Sequence, residues 1–299
     1  MKKIYKKYPL NQSYLFKLKS IKKLSEVLGI NCDSLKNGEY KNIIKYSDFT
    51  NEKGRTINNP CDQLKKIQKR LLKHFSKIET PSYLISGKKG LSYLNNAEVH
   101  ALKHRYIVTS DISEFYKNCR RKYVYVMLKE KFKMAGDVAG IITDIVCYGN
   151  YIPTGSPTSQ IVAYLTYSET FDKINELIQR KKCVFTLYVD DMTFSSDKYI
   201  DRKVLYQVGL ELLKKGLKVK NKKTKKYSKN EISIVTGVAI DNGKLKVPNK
   251  QRYSILRHFE EYEITKDEQL YLKLKGKIQA ARRIEKDIFP TLVEKLQKK

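Results

Sequence analysis

The sequence predicts an α+β protein that combines an antiparallel hairpin with long amphipathic helices. Two short runs of β-branched and aromatic residues, 184–189 and 192–196, are separated only by an acidic turn, which is typical of a β-hairpin. Apolar residues recur at helical spacing over residues 159–178, and residues 250–299 are amphipathic with the same period. These observations favour a mixed fold with a large helical content.

The N-terminal part is predicted to be helical up to residue 40. Apolar residues recur at helical spacing within residues 12–40, and Gly29 ends the first helix. The pattern also fits a helix-turn-helix, but a small packed pair of helices is the favoured interpretation. Residues 41–60 are rich in turn-forming residues, so no strand or helix is predicted there.

The remaining elements are predicted in chain order from the same patterns. Helical spacing predicts further helices at residues 64–75, 119–135, 137–148 and 201–215. Runs of β-branched residues predict one strand at 107–112, which ends in an acid, and one at 233–240. Glycine and proline predict loops at 81–95 and 149–157.

The charge of the chain is strongly positive. Its 299 residues include 61 Lys and Arg against 31 Asp and Glu, a formal net charge of +30. Such a balance predicts polyanionic partners, with nucleic acid as the first candidate. Nine lysines fall within residues 214–229. A lysine run is usually a solvated face, but its position close after the acidic turn favours a functional surface.

Cysteine usage and hydropathy indicate the compartment. The five cysteines are scattered and include no C-x-x-C pair, which fits a reduced cytoplasmic protein rather than a disulfide or zinc framework. No apolar run approaches the roughly 18 residues that would suggest a membrane span. We therefore expect a cytoplasmic protein with no membrane partner.

Three acids are the candidate metal ligands. Asp190 and Asp191 are adjacent in the predicted hairpin turn, where two carboxylates repel each other, and Asp111 ends another strand. A divalent cation would relieve the repulsion, because Mg²⁺ prefers oxygen ligands. Three such acids can hold two Mg²⁺ ions about 4 Å apart, which is the arrangement used for phosphoryl transfer.

Five sequence blocks in order resemble the reverse transcriptase family. Residues 109–116 (TSDISEFY) resemble its first catalytic motif, and residues 188–191 (YVDD) resemble its second. Residues 152–159 (IPTGSPTS) resemble the loop that positions template and nucleotide. Residues 220–224 (KNKKT) resemble the lysine-bearing motif, and residues 54–68 resemble the fingers segment. The resemblance covers about residues 50–245.

Two further blocks narrow the resemblance to the bacterial retron reverse transcriptases. Residues 96–100 (NAEVH) precede the first catalytic strand, and residues 235–237 (VTG) follow the lysine run. Two positions differ from the usual pattern, because Thr154 stands where the family has Gln, and Val189 where retron enzymes mostly have Ala. Neither change removes a metal ligand, but Thr154 is shorter than Gln, so an altered contact with the incoming nucleotide is expected.

The resemblance implies roles for individual residues around the nucleotide. Asp111, Asp190 and Asp191 would be the catalytic metal ligands, and Ile112 would offer its backbone carbonyl. The expected nucleotide-binding residues are Arg55 on the triphosphate, Tyr116 against a ribose 2′-hydroxyl, Thr154 at the incoming nucleotide, Gly155 at the nascent base pair, and Lys223, with Lys222 as the alternative, at the pyrophosphate.

A second set of residues is expected at the RNA or DNA. It comprises Asn96, His100, Val235, Thr236, Gly237, Arg252 and Arg257. For His100 two interpretations stay open, because a lone histidine is more often structural than functional, and the structural interpretation is slightly favoured.

The resemblance implies a right-hand polymerase with an antiparallel palm sheet and mostly helical fingers and thumb. The expected division is an N-terminal helical segment (1–50), fingers (51–105), a palm (106–245) with a fingers insertion near 119–150, and a thumb (246–299).

The expected activity is RNA-directed DNA synthesis with two Mg²⁺ ions and dNTPs. A cognate structured noncoding RNA would serve as template and 2′-OH primer, giving branched RNA-linked DNA (msDNA). The retron resemblance also implies phage defence with a separate effector (toxin) protein. The alternatives are another bacterial reverse transcriptase, of the group II intron or abortive-infection type, and a non-catalytic RNA-binding scaffold.

Overall fold

The computed structural model describes residues 7–52, 54–103 and 105–297. The first six and last two residues of the predicted terminal domains lie outside these ranges. Helices α1 (Ile21–Leu28) and α2 (Cys32–Lys36) form the predicted packed pair. Ser20 caps α1 by accepting from the Lys23 N–H, and Gly29 ends it at a φ of 61°. The prediction of helices here is confirmed.

The prediction for residues 41–60 is wrong in part. Strands β1 (Tyr46–Thr50) and β2 (Thr56–Pro60) form an antiparallel hairpin there. The two strands read YSDFT and TINNP and are mostly polar, so neither shows the alternation that predicts a strand. Backbone pairing and side-chain hydrogen bonds hold this hairpin instead. The boundary predicted after residue 50 falls within it.

Helix α3 (Asp62–Phe75) lies close to its predicted limits, and α4 (Tyr93–His100) begins inside a predicted loop. The signal for α4 was present in the sequence, because Ser92 and Asn95 form a capping box at its start. The next helices are α5 (Phe115–Asn118), α6 (Arg121–Val126) followed by a π-helical turn (Met127–Lys131), α7 (Gly136–Val146) and α8 (Ser159–Arg180).

The central sheet has four strands in the order β4-β5-β3-β6. They are β3 (Tyr106–Asp111), β4 (Val184–Tyr188), β5 (Asp191–Ser196) and β6 (Lys225–Tyr227), and every pairing is antiparallel. Helix α9 (Arg202–Leu213) follows β5. The sheet and helices α1, α3, α7 and α8 share one large apolar core. The α+β class with an antiparallel sheet is therefore confirmed.

The single strand predicted at 233–240 is wrong. The chain turns at Thr236 and Gly237, so that β7 (Ser233–Val235) pairs with β8 (Val238–Asp241), and β8 pairs with β9 (Lys244–Lys246). Thr236 and Gly237 have φ angles of 45° and 82°. Two successive positive φ angles form a tight hairpin turn, but a β-branched residue at the first position conceals it in the sequence.

The C-terminal residues are helical as predicted. Helices α10 (Asn249–Thr265), α11 (Glu268–Ile284) and α12 (Pro290–Gln297) follow β9. The buried apolar side chains of α10 and α11, with two from the segments beside them, form a separate core, which consists of Val247, Ile255, Tyr262, Leu274, Ile278, Ala281 and Ile288. Within the described part of the chain, no helix combines the length and apolar character needed to cross a membrane.

Candidate active site

The three aspartates predicted as ligands meet at one end of the central sheet. Asp111 is the last residue of β3 and pairs in register with Asp191, the first residue of β5. Tyr188, the last residue of β4, pairs with Asp191 from the other side. The Ile112 N–H donates to the carbonyl oxygen of Asp190 at 2.9 Å. The acidic turn is thereby joined to the end of β3.

The turn between β4 and β5 is strained. Val189 has a φ of 60°, which is unfavourable for a β-branched side chain. Its N–H donates to Ser86 Oγ at 2.9 Å, and the segment before Ser86 pairs with β4 through hydrogen bonds between Ile85 and Leu187 (3.0 Å) and between Leu187 and Tyr83 (2.8 Å). Ser86 therefore fixes the conformation that presents the two aspartates.

Burial and mutual repulsion raise the pKa of both aspartates of the turn. For Asp191, burial acts first and the charges of Asp190 and Asp111 add to it, so the pKa rises to about 7. For Asp190 burial raises the pKa, while Arg55 and Lys223 act in the opposite direction. Lys223 Nζ contacts Asp111 Oδ2 directly. The site concentrates negative charge that cations stabilise.

The donor set suits a hard divalent cation. In the described ranges, no three His, Cys, Asp or Glu side chains already form a group that could hold a metal ion. This is compatible with Mg²⁺, which is usually bound by one or two carboxylates together with substrate phosphates and waters rather than by a complete protein cage. The oxygen-only donors and the raised pKa values of Asp190 and Asp191 fit that mode of binding.

Tyr116 and Arg55 both lie near Asp190. Burial and the Asp190 charge raise the pKa of Tyr116, which packs against Phe115 with ring centroids 5.6 Å apart. Arg55 is exposed at the tip of the β1–β2 hairpin, where its N–H donates to Asn51 Oδ1 at 3.0 Å. The structure thus brings these two of the five predicted nucleotide-binding residues to the acidic site.

Thr154 and Gly155 lie against strand β2. Thr154 Oγ1 accepts from the Asn58 N–H at 3.1 Å and donates to the Thr56 carbonyl at 3.0 Å. A Cβ added to Gly155 would lie 2.4 Å from the Asn58 carbonyl oxygen. The glycine is therefore required by its close approach to β2, whereas the sequence suggested an approach to the nascent base pair.

A cleft of about 460 Å³ opens beside Asp111 and Asp191. Its walls combine aromatic rings, ammonium groups and the β7–β8 turn, and they include Tyr93, Tyr188, Tyr227, Lys222, Lys223, Lys225, Thr236 and Gly237. Lys223 contacts Asp111, whereas no such contact is found for Lys222. Of the two lysines considered for the pyrophosphate, Lys223 is therefore the one joined to the acids.

The predicted contact of His100 with RNA is not compatible with its position. His100 is fully buried, and its ring nitrogens bond Ser195 Oγ and Thr186 Oγ1, each at 2.8 Å. Burial, with a smaller effect of Arg105, lowers its pKa to about 3, so the ring is neutral. It joins α4 to strands β4 and β5, which supports the structural interpretation.

Asn96 connects the two blocks that narrowed the resemblance. It is fully buried, and its Nδ2 lies 3.5 Å from Thr236 Oγ1, which itself donates to the Tyr93 carbonyl at 3.0 Å. Asn96 Oδ1 has no hydrogen-bond partner among the described residues. Val235 is buried too, whereas Gly237 is exposed and its carbonyl accepts from Gln251 Nε2 at 3.0 Å.

Arg252 differs from its predicted role. Its guanidinium binds both carboxylate oxygens of Glu285 at 2.5 and 2.8 Å, and its Nε donates to the Val247 carbonyl at 3.0 Å. These contacts join α10 to the end of α11, so the side chain is engaged within the protein. Arg257, by contrast, is exposed on α10.

Sequence reasoning missed Ser86 and Asn58. Ser86 holds the strained turn from a segment predicted as loop, and nothing in its local sequence marks it. Asn58 is 3% exposed, and Asn58–Asn59–Pro60 suggested a turn. The sequence alone does not show that Asn58 is buried and hydrogen-bonded, because its partner Thr154 lies in a distant loop.

Comparison with solved structures identifies the class of fold. The telomerase from Candida albicans, solved in complex with a fragment of telomeric RNA, aligns with a TM-score of 0.50 and 12% identity over 84% of this chain and 56% of that one. At this identity the likeness concerns the fold alone. With the acids at its strand ends, the chain has the fold of an α+β polymerase.

The chain belongs to the reverse transcriptase family. Residues 41–240 match the family described as "Reverse transcriptase (RNA-dependent DNA polymerase)". The chain is 30% identical to the Retron Se72 reverse transcriptase of Salmonella heidelberg, over 78% of this chain and 65% of that protein. It is 26% identical to the Retron Ec86 reverse transcriptase of Escherichia coli, over 78% and 75%. The predicted resemblance is confirmed, and the chain spans just under two thirds of the first relative's length.

Proposed function

We propose that this protein is an RNA-directed DNA polymerase of the retron type. The observation that carries the proposal is the meeting of Asp111, Asp190 and Asp191 at adjacent strand ends in a member of the reverse transcriptase family. Arg55 and Tyr116 lie beside the same acids. The net charge of +30 supports a nucleic-acid partner.

The three aspartates, with the Ile112 carbonyl, would hold two Mg²⁺ ions together with the phosphates of a dNTP. Bound there, Mg²⁺ would lower the pKa of the attacking hydroxyl and stabilise charge on the leaving pyrophosphate. Arg55 would bind the triphosphate through its fork of donors. The Tyr116 ring would exclude a ribose 2′-hydroxyl, and Lys223 would approach the pyrophosphate.

The retron part of the proposal concerns template and primer. A cognate noncoding RNA would supply both the template and a 2′-hydroxyl primer, so the product would be msDNA, DNA joined to RNA by a branch. The likeness to the two retron reverse transcriptases supports this. Phage defence with a separate effector protein, and a cytoplasmic location, belong to the same proposal; all five cysteines are free.

The same proposal divides the chain into fingers, palm and thumb. Strands β3–β6 would be the palm and the β1–β2 hairpin part of the fingers. Helices α10–α12 would be the thumb, with Arg257 on a face open to nucleic acid. The β7–β8 turn would face the primer across the cleft.

The test uses the protein purified together with RNA transcribed from its genomic flank. Mg²⁺ and labelled dNTPs are added without primer, and the product is sized before and after ribonuclease treatment. We expect labelled DNA that shortens on treatment and is absent in the Asp190→Asn/Asp191→Asn variant. DNA made only on an added primer–template would indicate a different reverse transcriptase. Bound RNA without synthesis under either condition would indicate a scaffold.

A further inference from the structure

We propose that Thr154 is a positioning residue that fixes the β1–β2 hairpin, and with it Arg55, over the acidic site. Thr154 stands where the family usually has Gln, so this role belongs to this chain's own sequence. The inference rests on the proposed polymerase function, because Arg55 is assigned there to the triphosphate.

The hydroxyl of Thr154 uses both of its hydrogen-bonding capacities on strand β2. It accepts from the Asn58 N–H at 3.1 Å and donates to the Thr56 carbonyl at 3.0 Å. The Thr154 N–H lies 3.4 Å from Asn58 Oδ1, so main chain and side chain both contact the strand. Thr56, whose carbonyl is held in this way, is the neighbour of Arg55 in the chain.

Gly155 shows how closely the loop and the hairpin are packed. A Cβ at this position would lie 2.4 Å from the Asn58 carbonyl oxygen and 3.2 Å from Ile57 Cγ2. Real Cβ atoms do not approach a backbone oxygen this closely, so only glycine permits the contact. This close packing holds the Thr154 hydroxyl at a fixed distance from strand β2.

Asn58 extends the contact across the hairpin. Its side chain is buried, and Nδ2 donates to Asp48 Oδ1 on β1 at 2.9 Å. Asp48 Oδ2 in turn accepts from the Tyr148 hydroxyl at 3.3 Å. Hydrogen bonds therefore join the loop to both strands, although residues 47–50 of β1 are exposed and supply little apolar packing.

Loss of the hydroxyl is expected to affect nucleotide binding more than chemistry. The Asn58 N–H and the Thr56 carbonyl would lose their partner, and the hairpin tip would no longer be held in one position. Arg55 would then meet the triphosphate in a smaller fraction of molecules, which raises KM. Once the nucleotide is bound at saturation, the aspartates are unchanged and kcat is retained.

The test compares Thr154→Val with Thr154→Ser in single-nucleotide incorporation on an RNA template with an annealed primer. We expect Thr154→Val to raise KM for dNTP by at least about fivefold, the factor that corresponds to one neutral hydrogen bond, because two such bonds are lost, with kcat within about twofold. Thr154→Ser keeps the hydroxyl and should restore KM. Thr50→Val, on the exposed part of β1, is the matched control and should leave KM unchanged.

Hydrogen exchange of the Asn58 amide supplies a readout that needs no activity. Exchange should be faster by a similar factor in Thr154→Val and normal in Thr154→Ser. Unchanged KM and exchange in Thr154→Val, or equal changes in the Val and Ser variants, would overturn the proposal. A wild type that makes no DNA would reject the polymerase function, while the exchange result would still decide on the contact.

A second variant removes the contact between Thr154 and Asn58 by changing the residue on strand β2. Asn58→Ala removes the acceptor of the Thr154 N–H, and it should produce the same split between KM and kcat. The double variant with Thr154→Val should be less than additive, because both residues act through one contact. Full additivity in KM would mean that the two residues act separately and would contradict the inference.

Discussion

Two hairpin turns face the same cleft and hold similar strain in different ways. Val189 and Thr236 are both β-branched and both have a positive φ, 60° and 45°. The Val189 turn is fixed from outside, by Ser86 Oγ accepting from its N–H. At the Thr236 turn the strained residue itself takes part, because its hydroxyl donates to the Tyr93 carbonyl, and Gln251 Nε2 adds a hydrogen bond to the Gly237 carbonyl. The first turn carries two half-buried acids, and the second carries none.

The difference indicates what each turn requires. At the first turn the side chains that matter are Asp190 and Asp191, so the strained residue is held through its backbone and its own side chain stays apolar. At the second turn the strained residue also supplies the hydrogen bond. Helix α4 supports both, because His100 contacts β4 and β5 while Tyr93 contacts Thr236.

The largest expected effect is a loss of activity when the two acids of the first hairpin are replaced, compared with replacement of Asp241 in the second hairpin. Asp190→Asn with Asp191→Asn should lower DNA synthesis by about 1,000-fold or more, because metal-ion stabilisation supplies several kcal/mol. The melting temperature should be unchanged or higher, since burial and repulsion raise both pKa values. Asp241→Asn, which removes the partner of Lys246 at the end of β8, is the control. Equal losses in both variants would contradict the assignment.

The pH dependence of stability tests whether His100, the residue through which α4 contacts β4 and β5, is buried in its neutral form. Burial lowers the His100 pKa to about 3 in the folded protein, whereas the unfolded value is about 6.5. Its contribution is therefore complete above pH 6.5 and is lost as the pH falls toward 3, by up to about 1.4 kcal/mol per pH unit. Urea unfolding between pH 7 and 4 measures this.

The control for that experiment is His100→Gln, which has no proton to gain. Its stability at pH 7 should be lower than that of the wild type, but the part of the slope that belongs to His100 should be absent. If the free energy of unfolding changed with pH by the same slope in both proteins, the imidazole would not be buried in its neutral form.

Removing the outside support of the first turn should affect catalysis. Ser86→Ala leaves the Val189 N–H without its acceptor, which costs about 1 kcal/mol of stability, and a displaced turn should lower kcat about tenfold. Ser168→Ala removes a hydroxyl that is buried to a similar degree in α8. It should cost similar stability with kcat unchanged. A kcat loss shared by both variants would mean that Ser86 acts only through the fold.

The smallest expected effect is a difference in the free energy of unfolding when the strained residue of each turn is replaced by glycine. Val189→Gly removes the strain of a positive φ, which costs about 1–3 kcal/mol, but also the partial packing of the side chain on the large core, so the free energy of unfolding should rise by a net of about 1 kcal/mol. Thr236→Gly removes the strain but also the bond to Tyr93, so the net change should be about zero. Chemical denaturation measures both. A gain of the same size at both positions would show that the Thr236 hydroxyl contributes nothing.

Much of the site was predictable because its signals are local. The alternating strands on either side of Asp190 and Asp191 fix a hairpin, and a strand ending at Asp111 can pair beside it. The α+β class followed from the same strands and the long helix α8. Asp111, Asp190 and Asp191 meet at strand ends that their neighbours in the chain predict.

The remainder depends on contacts between distant residues. The β1–β2 hairpin is stabilised by the loop at Thr154, about a hundred residues away, so its own sequence shows only turn-forming residues. The structural role of His100 depends on hydrogen bonds from its ring to Thr186 and Ser195, which are distant in the chain. Arg252 was expected at nucleic acid, but Glu285 engages its guanidinium. Periodicity cannot reveal such partners.

The separate core of the C-terminal helices bears on movement along a template. Val247, Ile255 and Leu274 pack among themselves rather than into the large core. Ile284 of α11 also packs against the cluster that contains Ile107 and Tyr227 of the central sheet, so the apolar contacts of these helices are largely, but not wholly, separate from those of the sheet. An enzyme that advances one nucleotide at a time must loosen and renew its hold on the duplex at every step. In the polymerase proposed above, a helical unit with its own core would let that cycle proceed without disturbing the strand ends where the aspartates meet.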